Sequence, residues 1–302
     1  MNSRPQKTAF IILHYGDRAV TDLCVQSILR MDDADRMEIV IVDNDSRQPE
    51  EEREALALHF KRQGEAAGKS ITVIRCPAGT GFSHANNLGY AFAREQLGAG
   101  CMVICNNDIE FVQTDFAARL ERSLRRMNCH VLGPNVIRRS NHEPQNPMDT
   151  RLRTNEEARY TIRMNRAALR VLPAAYPVLK TQMNLQEKRR LQEKRKNIDY
   201  YRQPHKHIVP FGACLIFTPL FVEKEEQAFE PETQFYYEEY ILTKRCFSKG
   251  YETGYDPVLK VIHDSGSATG ESLRSGMKKM RFLMENTAAA CEIFLRDTGN
   301  GE

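Results

Sequence analysis

No apolar run in this 302-residue chain approaches the roughly 18–20 residues that a membrane span needs. The opening stretch, MNSRPQKTAFIILHYGD, has one short apolar segment that meets Asp17 without a small-residue cleavage site, so it reads as no secretory signal. Glycine (17) and proline (13) stand at ordinary levels, which removes collagen-like and low-complexity readings. The eight cysteines (Cys24, Cys76, Cys101, Cys105, Cys129, Cys214, Cys246 and Cys291) form no CxxC pair. A chain of this size needs no disulfide staples, and they read as reduced, packed apolar groups of a cytoplasmic protein. Several catalytic signatures are missing as well. The run HYGDRAV after the first apolar segment lacks GxGxxG, there is no GxxxxGK[ST], GFSHA lacks the second glycine of GxSxG, and no HExxH occurs. A dinucleotide turn, a P-loop, a nucleophile elbow and the familiar zinc sites are therefore disfavoured.

What is present is an ordinary globular mix, 41% apolar and 27% charged. The net charge of +3 hides an asymmetry. Residues 150–206 hold 15 Lys+Arg against 5 Asp+Glu, so the rest of the chain is acidic by 7.

From residue 7 to 136, short β-rich runs (9–15, 38–43, 71–76, 101–108, 131–136) alternate with helix-compatible stretches (19–30, 50–63, 84–96, 115–127). Such alternation predicts an α/β fold with a mostly parallel sheet, because parallel neighbours need crossovers and helices supply them. Ligands of such sheets bind beyond the carboxyl ends of the strands. A second block follows from residue 208: a strand in IVPFGACLIFTP, a short helix over 220–227, a helix over 239–249 and a strand over 257–263. An amphipathic helix is expected over about 273–296. Between the blocks the basic segment predicts two or more helices (155–172 and 181–198), broken by Pro173 and Pro177.

The strand ends carry acids and amides. Asp43, Asn44 and Ser46 in VDNDS fit either a helix-capping turn or ligand contacts. In CNNDIEF an apolar strand runs into Asn106, Asn107 and Asp108, hard oxygen donors that suit Mg²⁺ or Mn²⁺ carrying phosphates, or else an Asx-turn. Gly81, Phe82, Asn86 and Asn87 join a flexed loop to a helix, which fits backbone approach to a ligand and fits a plain loop equally. Glu238 and Glu239 sit in FYYEEYIL, where adjacent acids in apolar company must be paired, protonated or basic, or else lie solvated in a first helical turn. His263 ends the last strand.

In this order the pieces resemble the family 2 glycosyltransferases of the GT-A fold, especially the bacterial branch of rhamnosyl- and galactofuranosyltransferases. The matching residues are His14-Tyr15-Gly16, Val42-Asp43-Asn44-Asp45-Ser46, Gly81-Phe82 with Asn86-Asn87-x-Gly89, Cys105-Asn106-Asn107-Asp108 and Gly133-Pro134. They continue with Phe211-Gly212-Ala213-Cys214, Glu238-Glu239, Gly250-Tyr251 and His263-Asp264-Ser265-Gly266. The match covers roughly residues 8–136 and 208–270. It departs from the branch at Asn106 (first acid of the DxD-like motif), at Glu239 (usually Asp) and at Ile241 (usually an acid).

The resemblance implies one domain over 1–302. It would have a nucleotide-sugar half (8–136), a basic helical insertion (140–206), an acceptor half (208–270) and a C-terminal helix (271–302). It implies that Asp43, with Tyr15, Asn44, Ser46, Gly81, Phe82, Asn86, Asn87 and Asn107, holds a UDP- or dTDP-sugar. Asp108, His263 and Asn106 would hold Mn²⁺ or Mg²⁺, and Glu239, beside Glu238, would be the base. The expected activity is an inverting transfer to a glycan or lipid-diphosphate-linked acceptor in bacterial surface-polysaccharide synthesis. A nucleotide-sugar-binding protein that has lost turnover and a nucleotidyltransferase are the alternatives. The basic segment fits a helical insertion packed through Leu152, Ile162, Leu169 and Leu172, or a platform on an anionic membrane at the inner face of the cell. Nucleic acid is disfavoured, because Tyr160, Tyr176, Tyr200 and Tyr201 are few and lie at its ends.

Overall fold

The computed structural model describes residues 7–32, 37–45, 47–77, 80–264 and 276–296. Ser46, Gly79, Ser265 and Gly266 lie outside the described residues. Chain order begins β1 (Thr8–His14), α1 (Arg18–Leu29), β2 (Met37–Asp43), α2 (Glu50–Ala66), β3 (Ile71–Arg75), α3 (Phe82–Glu95) and β4 (Cys101–Asn106). It continues with β5 (Ile109–Phe111), α4 (Phe116–Met127), β6 (Val131–Arg138), α5 (Asn155–Lys196), β7 (His205–Lys206) and β8 (Cys214–Phe217). The last elements are α6 (Pro219–Val222), α7 (Glu238–Ser248), β9 (Thr253–His263) and α8 (Gly276–Arg296).

One sheet runs β3-β2-β1-β4-β8-β6-β9-β5, with β7 also on β9. β1, β2, β3 and β4 pair in parallel, β8 enters antiparallel between β4 and β6, and β9 is parallel to β6. The α/β reading therefore holds. The carboxyl ends of β1, β2, β4 and β9 and the start of β8 consequently share one edge, since Cys105 pairs with Cys214. Strand alternation covers both faces. Phe10 and Ile12 pack with Cys24, Val25 and Phe60 on one side, while Ile11 and Leu13 pack with Ala85, Tyr90 and Phe217 on the other.

Three expectations need correction. The basic segment is one helix of 42 residues, not two, with Pro173 and Pro177 inside it. Each proline removes a hydrogen bond and costs ~3 kcal/mol or more in a helix interior. Both are exposed, so the carbonyls four residues back can take water. Against that cost, α5 packs on α8 and α7, burying Ala158, Ile162, Leu172, Met280, Met284 and Phe294. At roughly 1.5–3 kcal/mol for each large side chain, that packing outweighs the two kinks. A capping box at Thr154 and Glu157 starts the helix. Second, the strand expected in IVPFGACLIFTP shrinks to Cys214–Phe217, and the helix over 220–227 shrinks to Pro219–Val222. Third, β9 begins at Thr253, ahead of Pro257, because a register shift between Pro134 and Asn135 lets three residues of β9 bulge out of the ladder.

Candidate functional site

The β1–β2 end forms a cleft of ≈ 320 Å³ lined by His14, Gly16, Asp43 and Arg53. Asp43 is buried, and its carboxylate accepts from the Asp45 N–H at 3.2 Å and from Arg53 Nε at 2.7 Å. Arg53 also donates to the carbonyls of Asp43 (3.3 Å) and Cys76 (3.2 Å), so it knits β2 to the end of β3. Asp45 accepts from Gly16 N at 3.2 Å and from Arg47 Nε at 3.0 Å. Burial pushes the Asp45 carboxyl up, but the Arg47 bonds and charge outweigh it and hold the group below its usual range. Arg47 in turn lies over the Tyr15 ring, 4.7 Å from its centre. Burial lowers the His14 imidazole, whose Nδ1 shares a 2.6 Å hydrogen bond with the Thr21 hydroxyl. Asn107 donates to that hydroxyl at 3.0 Å and to Tyr15 O at 3.1 Å, tying the β4 tip to the β1 tip. Asn44 joins the edge through its backbone N–H, which donates to His14 O at 3.0 Å.

Beyond β4, the Asp108 carboxylate lies 3.3 Å from His263 Nε2, both side chains being buried. His263 Nδ1 is 2.7 Å from Gln145 Oε1. An amide oxygen accepts, so Nδ1 carries a proton and Nε2 turns toward a carboxylate. Among the described residues no three His, Cys, Asp or Glu side chains converge on one point. The two-residue set still fits a hard divalent ion, which takes one or two carboxylates and completes its shell with waters and phosphate oxygens. Asn106 is partly exposed beside it, its N–H held by Ala213 O at 3.0 Å.

The acid pair opens α7. Tyr236 and Tyr237 precede it in the left-handed region, at φ 66° and 70°. Glu238 is buried, and burial first, then the charge of Glu239, pushes its carboxyl up to about 8. Burial raises Glu239 as well, opposed by the Gly212 N–H, which donates to its Oε1 at 3.1 Å. A Cβ on Gly212 would stand 2.6 Å from that oxygen, so a larger residue in this turn would have to displace the Glu239 carboxylate.

The loop and helix around Gly81 serve this acid loop. The Phe82 N–H donates to Gln234 O at 2.8 Å, and a Cβ on Gly81 would stand 2.7 Å from Gln234 Cα. Both halves of the Asn87 amide bind the Phe229 backbone, at 2.8 and 2.9 Å. Asn86 donates to Phe82 O at 3.0 Å, and its buried Oδ1 has no hydrogen-bond partner among the described residues. Of the expected donor contacts, Asp43, Tyr15 and Asn44 surround the β1–β2 end; Asn107, Asn86 and Asn87 turn inward to bind protein. Arg53 and Gln145 were missed, because nothing in their spacing sets them apart from surface residues, and Asp45 was placed in the VDNDS run without a role of its own.

Comparison with known proteins follows the same lines. The model of glycosyl transferase family 2 matches residues 9–183. No curated protein sequence matches significantly. Among solved structures, S. aureus TarS 1-349 aligns over 96% of this chain and 69% of its own, at 10% identity and TM-score 0.51. GalNAc-T7, solved with UDP, GalNAc and Mn²⁺, aligns over 92% of this chain and 47% of its own, at 11% identity and TM-score 0.56. The chain thus spans about half the length of GalNAc-T7. At these identities the likeness is one of fold, the α/β fold of GT-A glycosyltransferases.

Proposed function

The chain belongs to glycosyl transferase family 2, and from that premise we propose that it moves a sugar from a UDP- or dTDP-linked donor to an acceptor hydroxyl, inverting the anomeric centre. The branch that makes bacterial surface polysaccharide is part of this proposal, as is a glycan or lipid-linked acceptor. The observation that carries it is the gathering of three functions on one sheet edge: the Asp43 cleft, the Asp108–His263 pair and Glu239 seated on Gly212.

In this reading Asp43 and its neighbours receive the nucleoside, while Asp108 and His263, with Asn106 adjacent, would hold Mn²⁺ or Mg²⁺. When bound, such an ion neutralises the charge that grows on the departing diphosphate. Glu239 accepts the proton of the attacking hydroxyl. The Gly212 N–H donates to its carboxylate and opposes the rise that burial imposes, while Glu238 stays protonated beside it near neutrality. The test is sugar transfer, or donor hydrolysis with Mn²⁺, by the parent and Glu239→Gln. Loss of a positioned general base costs about 10²–10⁴-fold. The expected result is that loss with UDP affinity retained; equal rates would remove Glu239 from the role.

We also propose that α5 rests on an anionic membrane. No helix among the described residues is long and apolar enough to cross one. Yet α5 turns Met164, Val171, Val178 and Leu185 outward, each about half exposed and seven residues apart, with Tyr160 on the same line. At 100° per residue, the exposed Arg159, Arg163, Arg170 and Lys188 border one side of that stripe. An apolar line edged by cations suits a helix lying in a lipid interface, each cation contributing roughly 1 kcal/mol on anionic lipid. Two copies joined through the stripe would bring like charges together. Equal cosedimentation with anionic and neutral vesicles would end the idea.

A further inference from the structure

A second cleft, ≈ 560 Å³, opens between α5, the loop before it and the start of α7. Arg153, Arg190 and Lys194 line it together with Tyr201, Tyr237 and Tyr240. Among the described residues none of these three cations makes an ion pair, although the chain is otherwise rich in them. Arg153 lies over the Tyr240 ring at 4.7 Å and the Tyr237 ring at 5.7 Å. Arg190 donates to Met148 O at 3.0 Å. Lys194 is buried; its Nζ donates to Pro144 O at 3.0 Å and Gln145 O at 3.4 Å and lies 5.3 Å from the centre of the Tyr201 ring.

Nearby carboxylates are engaged elsewhere. Glu187 faces Arg138 at 3.7 Å, Glu143 pairs with Arg195, and Asp149 accepts from the Tyr240 hydroxyl at 3.1 Å and the Thr150 N–H at 2.8 Å. Glu193, exposed, is the remaining acid of the lining. Burial, and then repulsion from Arg190, draws the Lys194 ammonium down to about 8, against the weaker pull of Glu187 and Glu143. A buried cation next to another cation is unfavourable unless an anion offsets it.

The cleft also shares two of its cations with a second groove. Arg190 and Lys194 line a narrower groove with Gln145 and Phe211, the first bonded to His263 and the second next to Gly212. Arg190 lies near enough to Glu239 to act on its charge.

We propose that this cleft anchors an anionic acceptor: Arg153, Arg190 and Lys194 hold a phosphate ester of the acceptor while its hydroxyl extends toward Glu239. The proposal rests on the reading of Glu239 as the base. The shared chemistry is an oxyanion, supplied either by a phosphorylated glycan or polyol or by a phospholipid-linked acceptor. The tyrosines offer faces on which the uncharged part of such an acceptor can lie.

The test titrates full-length protein with UDP and Mn²⁺ held saturating, so that the donor site is filled. The probes are sn-glycerol 3-phosphate, neutral glycerol and vesicles of phosphatidic acid. Arg190→Gln/Lys194→Gln is compared with the parent, and Arg190→Gln alone, at an exposed position, guards against misfolding. Loss of charge-assisted hydrogen bonds predicts binding at least about tenfold weaker in the double variant and intermediate in the single one, with UDP affinity unchanged. Glycerol phosphate binding that behaves so supports a soluble phosphate-bearing acceptor, and an effect confined to phosphatidic acid supports a lipid one. Equal binding by parent and variants, no binding of either anion by the parent, or weakened UDP binding instead would overturn the proposal. Failure of the parent to bind UDP at all would count against the donor reading and leave the anion titration readable.

Discussion

Replacing Glu238 by Gln isolates the most perturbed carboxyl of the site. In the folded protein it keeps its proton to about pH 8, against an ordinary 4.5 in the unfolded chain. Between those values the native state binds one proton more than the unfolded state, so this group's contribution to stability falls as pH rises. Each pH unit is worth 1.36 kcal/mol, which makes the penalty at pH 7 about 3 kcal/mol as an upper bound. Sharing of the repulsion with Glu239 brings the expected value to ~2 kcal/mol. Glutamine keeps the shape and removes the titration. Urea unfolding of parent and Glu238→Gln should give nearly equal stability at pH 4.5, and a variant advantage that grows toward ~2 kcal/mol at pH 7. Transfer activity should be close to parental at pH 6.5. Above pH 8 the parent should decline as Glu238 ionises beside the base, while the variant holds. A stability difference that is flat with pH, or a parent that gains on the variant as pH rises, would refute the argument.

Arg53→Gln leaves the buried Asp43 carboxylate without its cation and should cost ~3 kcal/mol in chemical denaturation, whereas Arg47→Gln, at a side chain 58% exposed, should cost under ~1 kcal/mol. Asp108→Asn should weaken UDP binding in Mn²⁺ by about tenfold or more and leave metal-free UDP binding unchanged, read by calorimetry with and without EDTA. Gly212→Ala drives a methyl toward Glu239 Oε1, so kcat should fall at least tenfold while UDP affinity stays at the parental value.

The first half of the chain was legible because its elements announce themselves locally. Arg18–Leu29 starts on Asp17, whose side chain accepts from Ala19 N at 2.8 Å, and β1, β2 and β4 are unbroken apolar runs, as strands buried on both faces must be. Strand-end residues such as Asp43 and Asp108 could be named from those runs alone. Proline misled where tertiary packing prevailed. Pro173 and Pro177 predict a break in isolation, yet Leu172 beside them is buried against Met280 and Met284 from a distant helix, a contact that no local pattern encodes. The three-residue β5 was missed because IEF reads as a turn exit, and it is a strand only through its pairing with Val261, Ile262 and His263. Asn87 shows the limit of motif reading. Its motif pointed to a ligand, and its amide is occupied by Phe229, 142 residues later.

The acid loop shows how far the support of the site extends. The first turn of a helix favours carboxylate ions, by about 0.3–1 kcal/mol, which is less than one pH unit. Burial of Glu238 opposes that by several times as much, and the carboxyl ends near 8. Holding it in so unfavourable a place requires a rigid approach, and the chain supplies one at some cost. Tyr236 and Tyr237 adopt left-handed conformations worth roughly 1–2 kcal/mol of strain each. Their rings are locked by α8: Phe235 and Tyr236 pack on Phe282 at 5.2 and 6.2 Å, and Tyr237 on Phe294 at 5.5 Å. The same helix is what α5 packs against. The helix that α5 packs against therefore also holds the turn that precedes Glu238 and Glu239, which ties the packing of α5 to the placement of those acids.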